Sequence, residues 1–278
     1  MSSGTLIQRT YASTAAGAEV EYRVLLPPGT TDDPSTTAGL PFILHLHGAH
    51  SSSGSLERAQ PRYEAAWTSG DLPPAVVACP TTATAGGFYI DHPGGGQWET
   101  VIREEFPSVI DDRHGTAPAP RAIHGASMGG YGVLKVAFAD PVRWAVAAAM
   151  SPVVFPGEGH GAVPAPFVPS VLSELDDAMA GGDPTDVATH AGNTVYGRAR
   201  ANAAAIRAAG SAIAIDVGGA DEFGLADGAE FLHALLRELG IVHTFRTVAG
   251  GGHMDALADL RAYDAIRDLG RALRPRLG

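Results

Sequence analysis

Cysteine is nearly absent from this chain: Cys79 is the single residue of its kind. That excludes an intrachain disulfide and any cysteine metal cluster. Its setting, Ala75-Val76-Val77-Ala78-Cys79-Pro80, is a buried-strand pattern in which a thiol serves as a small core residue. Charge is also scarce, at 18% of residues, and it is one-sided: 30 acidic against 19 basic side chains give a net charge of -11. A surface of that sign repels nucleic acid and anionic membranes, so neither is expected as a partner. No apolar run reaches the roughly 20 residues that a membrane-spanning helix needs. Met1-Ser2-Ser3-Gly4-Thr5 lacks the basic and apolar regions of a signal peptide. With Met1 as the start, the expected location is the cytoplasm, although a leader already removed would leave no trace.

What the chain does have is core-forming material. Hydrophobic residues make up 45% of its 278 positions. No repeat, low-complexity tract or linker interrupts them, so the expectation is one domain over residues 1–278. Two strands are expected at Leu6 to Ser13 and Glu19 to Leu26, the second alternating Val20, Tyr22 and Val24 with Glu21 and Arg23. A polar loop from Thr30 to Gly39 follows. Pro41 to His47 is apolar almost throughout, as a central parallel strand covered on both faces should be. Further strands are expected at Ala75 to Cys79, Arg121 to Ala126, Trp144 to Met150, Ala212 to Val217 and Ile241 to Val248. Helices are expected between them: at Arg58 to Thr68, from Val101 through Ile110 with an interruption near Pro107, after Ser127, around Phe231 to Leu239, and from Asp255 to Arg274. This alternation predicts an α/β fold, a mostly parallel sheet of about eight strands with helices on both faces. The proline-rich stretch from Ser151 to Gly210 is the least sheet-like part. An insertion between late strands is where a lid or pocket wall would sit.

The rest of the chain is organised around Arg121-Ala122-Ile123-His124-Gly125-Ala126-Ser127-Met128-Gly129-Gly130. It reads as a short strand ending in Gly-x-Ser-x-Gly that runs straight into a helix. Such a turn holds Ser127 Oγ clear of the backbone at the top of the sheet. Gly125 and Gly129 let strand and helix pass where a Cβ would collide. The helix N-terminus then points its partial positive charge at the serine.

A serine hydroxyl needs a base within reach, and the base needs an acid to orient it. In this architecture they follow in the order Ser, Asp or Glu, His, each past a strand end. His253 follows the last strand through Gly250-Gly251-Gly252, and of the eleven histidines it alone has both the order and the loop. Asp221 follows its strand through Gly218-Gly219-Ala220, with Asp216, Glu222 and Asp255 as alternatives for the acid. The oxyanion needs two N–H donors. Met128 supplies one, and the His47-Gly48-Ala49-His50 turn supplies the other, assigned to Ala49. Gly48 lets that turn face the pocket; His50 lines it.

One rival reading uses the same loop. His45-x-His47-x-x-His50 matches the histidine spacing of binuclear zinc hydrolases. The aspartate position of that pattern is occupied by Ala49, however, and no later ligand set is evident. The expectation is therefore that no metal and no cofactor is used. A catalytically silent binding module is the other distant alternative.

Together the Pro41–Gly54 turn, Gln97-Trp98-Glu99-Thr100 to Pro107, the His124–Gly130 elbow, the Gly-Gly-Ala-Asp221 turn and the Gly-Gly-His253 loop resemble the esterase D-like branch of the α/β-hydrolases. That branch includes feruloyl and acetyl esterases, S-formylglutathione hydrolases and mycolyltransferases of the antigen 85 type. The resemblance covers roughly residues 20 to 270, except for 152–195. It implies an α/β-hydrolase fold, catalytic roles for Ser127, Asp221 and His253, oxyanion donors at Ala49 and Met128, and Trp98 near the pocket mouth. The implied activity is hydrolysis of a small-molecule ester with a short acyl or aryl-acyl group, with acyl transfer as the alternative. Phe155, Phe167 and Val168 are candidates for the opposite apolar wall. Homo-oligomerisation is left open. Departures from the family pattern favour a simple esterase: Met254-Asp255-Ala256 follows His253, Ala49-His50-Ser51 lacks the cysteine typical of S-formylglutathione hydrolases, and no export signal is seen.

Overall fold

Strand-forming patterns of period two build the centre of the molecule. The computed structural model describes residues 3–83, 88–168 and 170–277; among the internal positions, residues 84–87, a stretch expected from its glycines to be a loop, and Pro169 lie outside them. The strands are β1 (Thr5–Ser13), β2 (Ala18–Leu26), β3 (Phe42–Leu46), β4 (Val76–Pro80), β5 (Arg121–Ala126), β6 (Val146–Met150), β7 (Ala212–Gly218) and β8 (Thr244–Val248). They form one eight-stranded sheet in the order β1-β2-β4-β3-β5-β6-β7-β8. β1 pairs antiparallel with β2, and β2 antiparallel with β4. Every other pair is parallel.

Helices occupy the crossovers. α1 (Pro34–Thr37) is a short turn of helix inside the loop expected at 30–39, capped by Asp33 on Ser35 N–H. α2 (Gly54–Ser69) joins β3 to β4. α3 (Trp98–Thr100) passes through a π-helical turn at Val101–Glu105 into α4 (Phe106–His114). The interruption expected near Pro107 thus lies one turn earlier. Pro107 itself sits in the first turn of α4, where its missing N–H costs nothing. α5 (Met128–Ala139) follows the Ser127 turn. The 151–210 stretch holds α6 (Val171–Met179), α7 (Val187–Asn193) and α8 (Val195–Ala209). α9 (Leu225–Glu238) joins β7 to β8, and α10 (Ala256–Leu273) closes the fold with Asp255 as its N-cap.

Two cores result, one on each face of the sheet. In β3, Phe42, Leu44 and Leu46 face the core made with α4, α5, α8 and α9. Ile43 faces the other core, built from Leu56 and Tyr63 of α2 and Ile266, Leu269 and Leu273 of α10. Cys79 is buried in this second core, as its sequence setting predicts. On the first face, Lys135 of α5 is fully buried and donates to Glu99 at 2.5 Å and to the Tyr89 carbonyl at 2.8 Å. Arg198 of α8 reaches the same Glu99 oxygen at 3.0 Å. One buried carboxylate thereby ties the α3 segment and the insertion to α5.

Two features of this arrangement have measurable consequences. His124 is buried on β5, where its Nδ1–H donates to the Ala148 carbonyl at 3.1 Å. Burial lowers its pKa from 6.5 to about 4. Between those values the unfolded chain binds a proton that the folded chain does not, so stability falls as the pH drops through the window. The loss for this group is about 3 kcal/mol. His124→Asn keeps a donor toward Ala148 and removes the titration, so urea unfolding at about pH 7 and about pH 4 should show a smaller acid loss in the variant than in the wild type. The second feature is the crossing of α5 over β3. A Cβ on Gly129 would stand 2.3 Å from the Leu46 carbonyl oxygen. Gly129→Ala should therefore cost about 3 kcal/mol or more, lowering the Tm by about 8 °C in a thermal melt.

Candidate active site

Ser127 occupies the single residue between β5 and α5, at φ 59 and ψ -123. For a residue with a Cβ this is a strained conformation, and it persists only where neighbours fix it. Three backbone bonds do so: Ser127 N–H to the Met150 carbonyl at 3.0 Å, Tyr131 N–H to the Ser127 carbonyl at 3.0 Å, and Val153 N–H to the same carbonyl at 3.2 Å. The side chain is left half-exposed at the head of α5. As the first helical residue, Met128 has an N–H with no intrahelical partner. Neither it nor the Ala49 N–H enters a turn or loop hydrogen bond among the described residues. Gly48 packs beside the elbow: a Cβ built there would lie 3.7 Å from Ser127 Cβ and 3.6 Å from the Ala126 carbonyl oxygen.

The glycine turns after β7 and β8 bring Asp221 and His253, the candidate acid and base, together. Ala220 N–H donates to the Gly251 carbonyl at 2.9 Å, and Gly219 N–H to the Val248 carbonyl at 2.8 Å. With the two turns joined, His253 Nδ1 lies 2.8 Å from Asp221 Oδ2. The Asp221 side chain is fully shielded from solvent, and that of His253 is nearly so. Burial pushes the Asp221 carboxyl up. The His253 hydrogen bond and charge, the Phe223 N–H and the Ser151 hydroxyl outweigh it and leave the carboxyl below its ordinary value. The Phe223 N–H donates to Asp221 Oδ1 at 3.0 Å, so each carboxylate oxygen has a donor. The Phe223 ring stands edge-on to His253, with ring centroids 4.9 Å apart.

The other acids have different work. Glu222 accepts from the His253 backbone N–H and not from its ring. Asp216 is paired with Arg246 and Arg261. Asp255 accepts from Gly252 and Ala258 N–H as the cap of α10. Ser127 Oγ and His253 Nε2 make no hydrogen bond in this structure.

A cavity of about 650 Å³ opens beside this cluster, on the α2/α10 side of the sheet, with Gly48, Ala126, His45, His124, Arg58 and His253 among its walls. The remaining candidates do not line this cavity. His50 is exposed at φ 54. Trp98 is half-buried against the first core, its indole over Gly96. Phe155 is a core residue that lines a small internal cavity with Tyr131 and Tyr196, whereas Phe167 stacks obliquely on Phe223 with centroids 6.4 Å apart. Val168 is exposed. The three histidines of the zinc spacing diverge. His45 Nδ1 meets Tyr63 Oη at 3.1 Å, and His47 donates to the Gly48 carbonyl while its Nε2 accepts from Thr82 N–H at 3.0 Å. His47 lies just past the end of β3. Among the described residues no three His, Cys, Asp or Glu side chains are placed to hold a metal ion, and no helix is long and apolar enough to cross a membrane. Phe223, Ser151 and Arg261 are the neighbours of the site that no motif signals, and Asp216, an alternative acid in the sequence, is instead the partner of Arg261.

Comparison with known proteins agrees with this geometry at the level of family and fold. In sequence, the chain is 31% identical to the MPT51 antigen of Mycobacterium leprae over 155 residues, covering 52% of this chain and 50% of that protein. It is 35% identical to the MPT51/MPB51 antigen of Mycobacterium tuberculosis over 79 residues, covering 27% and 26%. The matched stretch thus spans half or less of these relatives. In structure, it matches a ferulic acid esterase with a TM-score of 0.76 at 20% identity, covering 98% and 99% of the two chains. An S-formylglutathione hydrolase from Agrobacterium tumefaciens gives 0.76 at 21% identity, covering 99% and 96%. Mycobacterium tuberculosis MPT51 gives 0.69 at 18%, covering 97% and 99%. These matches establish the α/β-hydrolase fold. The esterase family model, described as "Putative esterase", matches residues 13–261. With nearly all of its sheet and both of its glycine turns inside that match, this chain belongs to the esterase family.

Proposed function

We propose that the protein is a serine carboxylic ester hydrolase, acylated at Ser127 and deacylated by water without a cofactor. The observation that carries this reading is the Asp221–His253 bond of 2.8 Å at the same end of the sheet as a strained serine heading α5. The chemistry follows from the ring. A carboxylate can only accept, so His253 Nδ1 carries the proton given to Asp221, and Nε2 keeps its lone pair for the Ser127 proton. As Ser127 Oγ adds to the ester carbonyl, negative charge develops on the carbonyl oxygen. The unused N–H groups of Ala49 and Met128, with the positive end of α5 behind them, are assigned to that oxygen. His253 then protonates the leaving alcohol, and in the second half it deprotonates the attacking water.

We assign short acyl or aryl-acyl esters as substrates. The aromatic pair Phe167 and Phe223 against His253 favours a flat or compact acyl group, and the fold is shared with a ferulic acid esterase. Trp98 and His50 are assigned to the rim, and residues 151–210 to the wall facing them. Acyl transfer is the neighbouring reading, because one acyl-enzyme serves both and only the acceptor differs. The similarity to MPT51 antigens keeps it in view.

A fluorophosphonate probe should label Ser127 stoichiometrically, read by intact mass and peptide mapping; an unlabelled Ser127 would refute the reading. Asp221→Asn should lower kcat by about 10⁴, as in other triads, while Glu222→Gln costs less than about tenfold. Across p-nitrophenyl esters, turnover should peak between acetyl and butyryl, and a maximum at decanoyl would move the enzyme towards long-chain chemistry. Trp98→Ala should raise KM by about threefold or more with kcat within about twofold. Adding a primary alcohol to the assay and measuring transesterified product against free acid separates hydrolysis from transfer.

A further inference from the structure

We infer that Arg261 and Ser151 are positioning residues that set the geometry of the Asp221–His253 pair from behind, as one hydrogen-bonded relay. The inference rests on the serine esterase reading above and names a part of that site that the triad alone does not contain.

Arg261 lies on α10 and is almost completely buried. Its planar guanidinium has three partners on three different segments. Nε donates to Asp216 Oδ1 on β7. Nη1 donates to the Gly252 carbonyl at 2.9 Å, immediately before His253. Nη2 donates to Ser151 Oγ at 2.7 Å, just past the end of β6. A buried cation needs a counter-charge, and Asp216 supplies it. Asp216 is in turn held on its other oxygen by Arg246 Nε at 2.6 Å. The carboxylate of Asp221 is therefore not consumed in neutralising Arg261, and stays available to the His253 ring.

Direction is what makes this a relay. Guanidinium can only donate, so in the Arg261–Ser151 bond the serine oxygen is the acceptor. The Ser151 proton is then free to point elsewhere, and its hydroxyl is one of the groups that stabilise the Asp221 carboxylate. Ser151 also holds an unusual backbone, φ 38, with its N–H bonded to the Asp216 carbonyl at 2.6 Å. Nothing about strand termination requires a left-handed serine there. The hydroxyl so placed accepts from Arg261 and lowers the pKa of the Asp221 carboxyl. The same cation thus grips the base through Gly252 and the acid through Ser151. Gly218 leaves the room: a Cβ on it would stand 2.9 Å from Arg261 Nη1.

The test compares wild type, Ser151→Ala and Arg261→Ala on p-nitrophenyl acetate, after fluorophosphonate titration of Ser127 in each. Ser151→Ala deletes one oxygen and leaves the Arg261–Asp216 pair, so it should fold. It should lose about 10- to 100-fold in kcat with KM within about twofold. The far-downfield proton NMR signal of His253 Nδ1–H should move upfield, because the acceptor carboxylate is no longer held. Arg261→Ala should lose more, and guanidinium chloride should restore part of its kcat where ammonium chloride at equal ionic strength does not. A merely structural cross-link would lower the Tm, yet leave the Nδ1–H signal in place and show no guanidinium rescue. If wild type is labelled at Ser127 and Ser151→Ala keeps kcat within about twofold with an unmoved Nδ1–H signal, the relay is refuted and the esterase reading stands. If wild-type Ser127 takes no label, the esterase reading fails and the relay falls with it. Should Arg261→Ala not fold, the Ser151→Ala outcome decides alone.

Discussion

How closely α5 can pass over β3 governs the rest of the molecule. At Gly129 the helix backbone lies so near Leu46 that no side chain fits, and Gly125 is equally confined against Gly129. That contact forces the chain to reverse within one residue, and Ser127 takes the left-handed conformation as a result. A strained residue of this kind costs of order 1–3 kcal/mol locally. It is offset by the packing of α5, of which every residue from Met128 to Phe138 is buried. The backbone of the proposed nucleophile is thus held by the packing around it.

The two glycine turns beyond β7 and β8 solve a different problem. Parallel neighbours β7 and β8 end at the same edge, and their following turns bond to each other through Ala220 and Gly251. This places Asp221 and His253 in contact although 32 residues separate them. The same turns use Glu222 to hold the His253 backbone, so adjacent carboxylates divide the work: one fixes where the histidine is, the other which way its ring points.

Much of this is legible in the sequence where the determinants are local. The strand–glycine–serine–glycine–helix pattern carries its own steric argument, and the strands announce themselves by apolar runs and period-two alternation. Legibility ends where tertiary contacts choose. Asp216, Asp221, Glu222 and Asp255 all stand near the right place along the chain, and only the folded turns assign each its partner. The π-helical turn at Val101–Glu105 follows directly on the segment whose Glu99 meets Lys135, a contact between residues 36 apart. Lys135 reads as an incidental lysine in an apolar helix until Glu99 is seen beside it. Ser151 and Arg261, 110 residues apart, have no motif at all. Phe155 reads as a pocket wall because it lies in the insertion, yet the insertion turns it into the core.

Buried charge in this protein is placed where segments must be joined. Glu99 links α3, α5 and α8 through Lys135 and Arg198, and Asp216 links β7, β8 and α10 through Arg246 and Arg261. Neither cluster is an efficient source of stability, since desolvating ions offsets much of their attraction. An apolar contact of the same volume would serve the core as well. It would not fix orientation: a hydrocarbon surface slides, whereas a carboxylate shared between two cations admits one arrangement of three elements. The neutral histidines show the complementary choice. His45 and His124 are buried where no counter-ion stands beside the ring, and burial lowers the pKa of both rings. Ionic groups therefore appear where several elements meet, as Asp216 does between β7, β8 and α10, and the neutral histidines where a strand faces the core. That division lets one rigid sheet carry loops whose relative placement the chemistry demands to within fractions of an ångström.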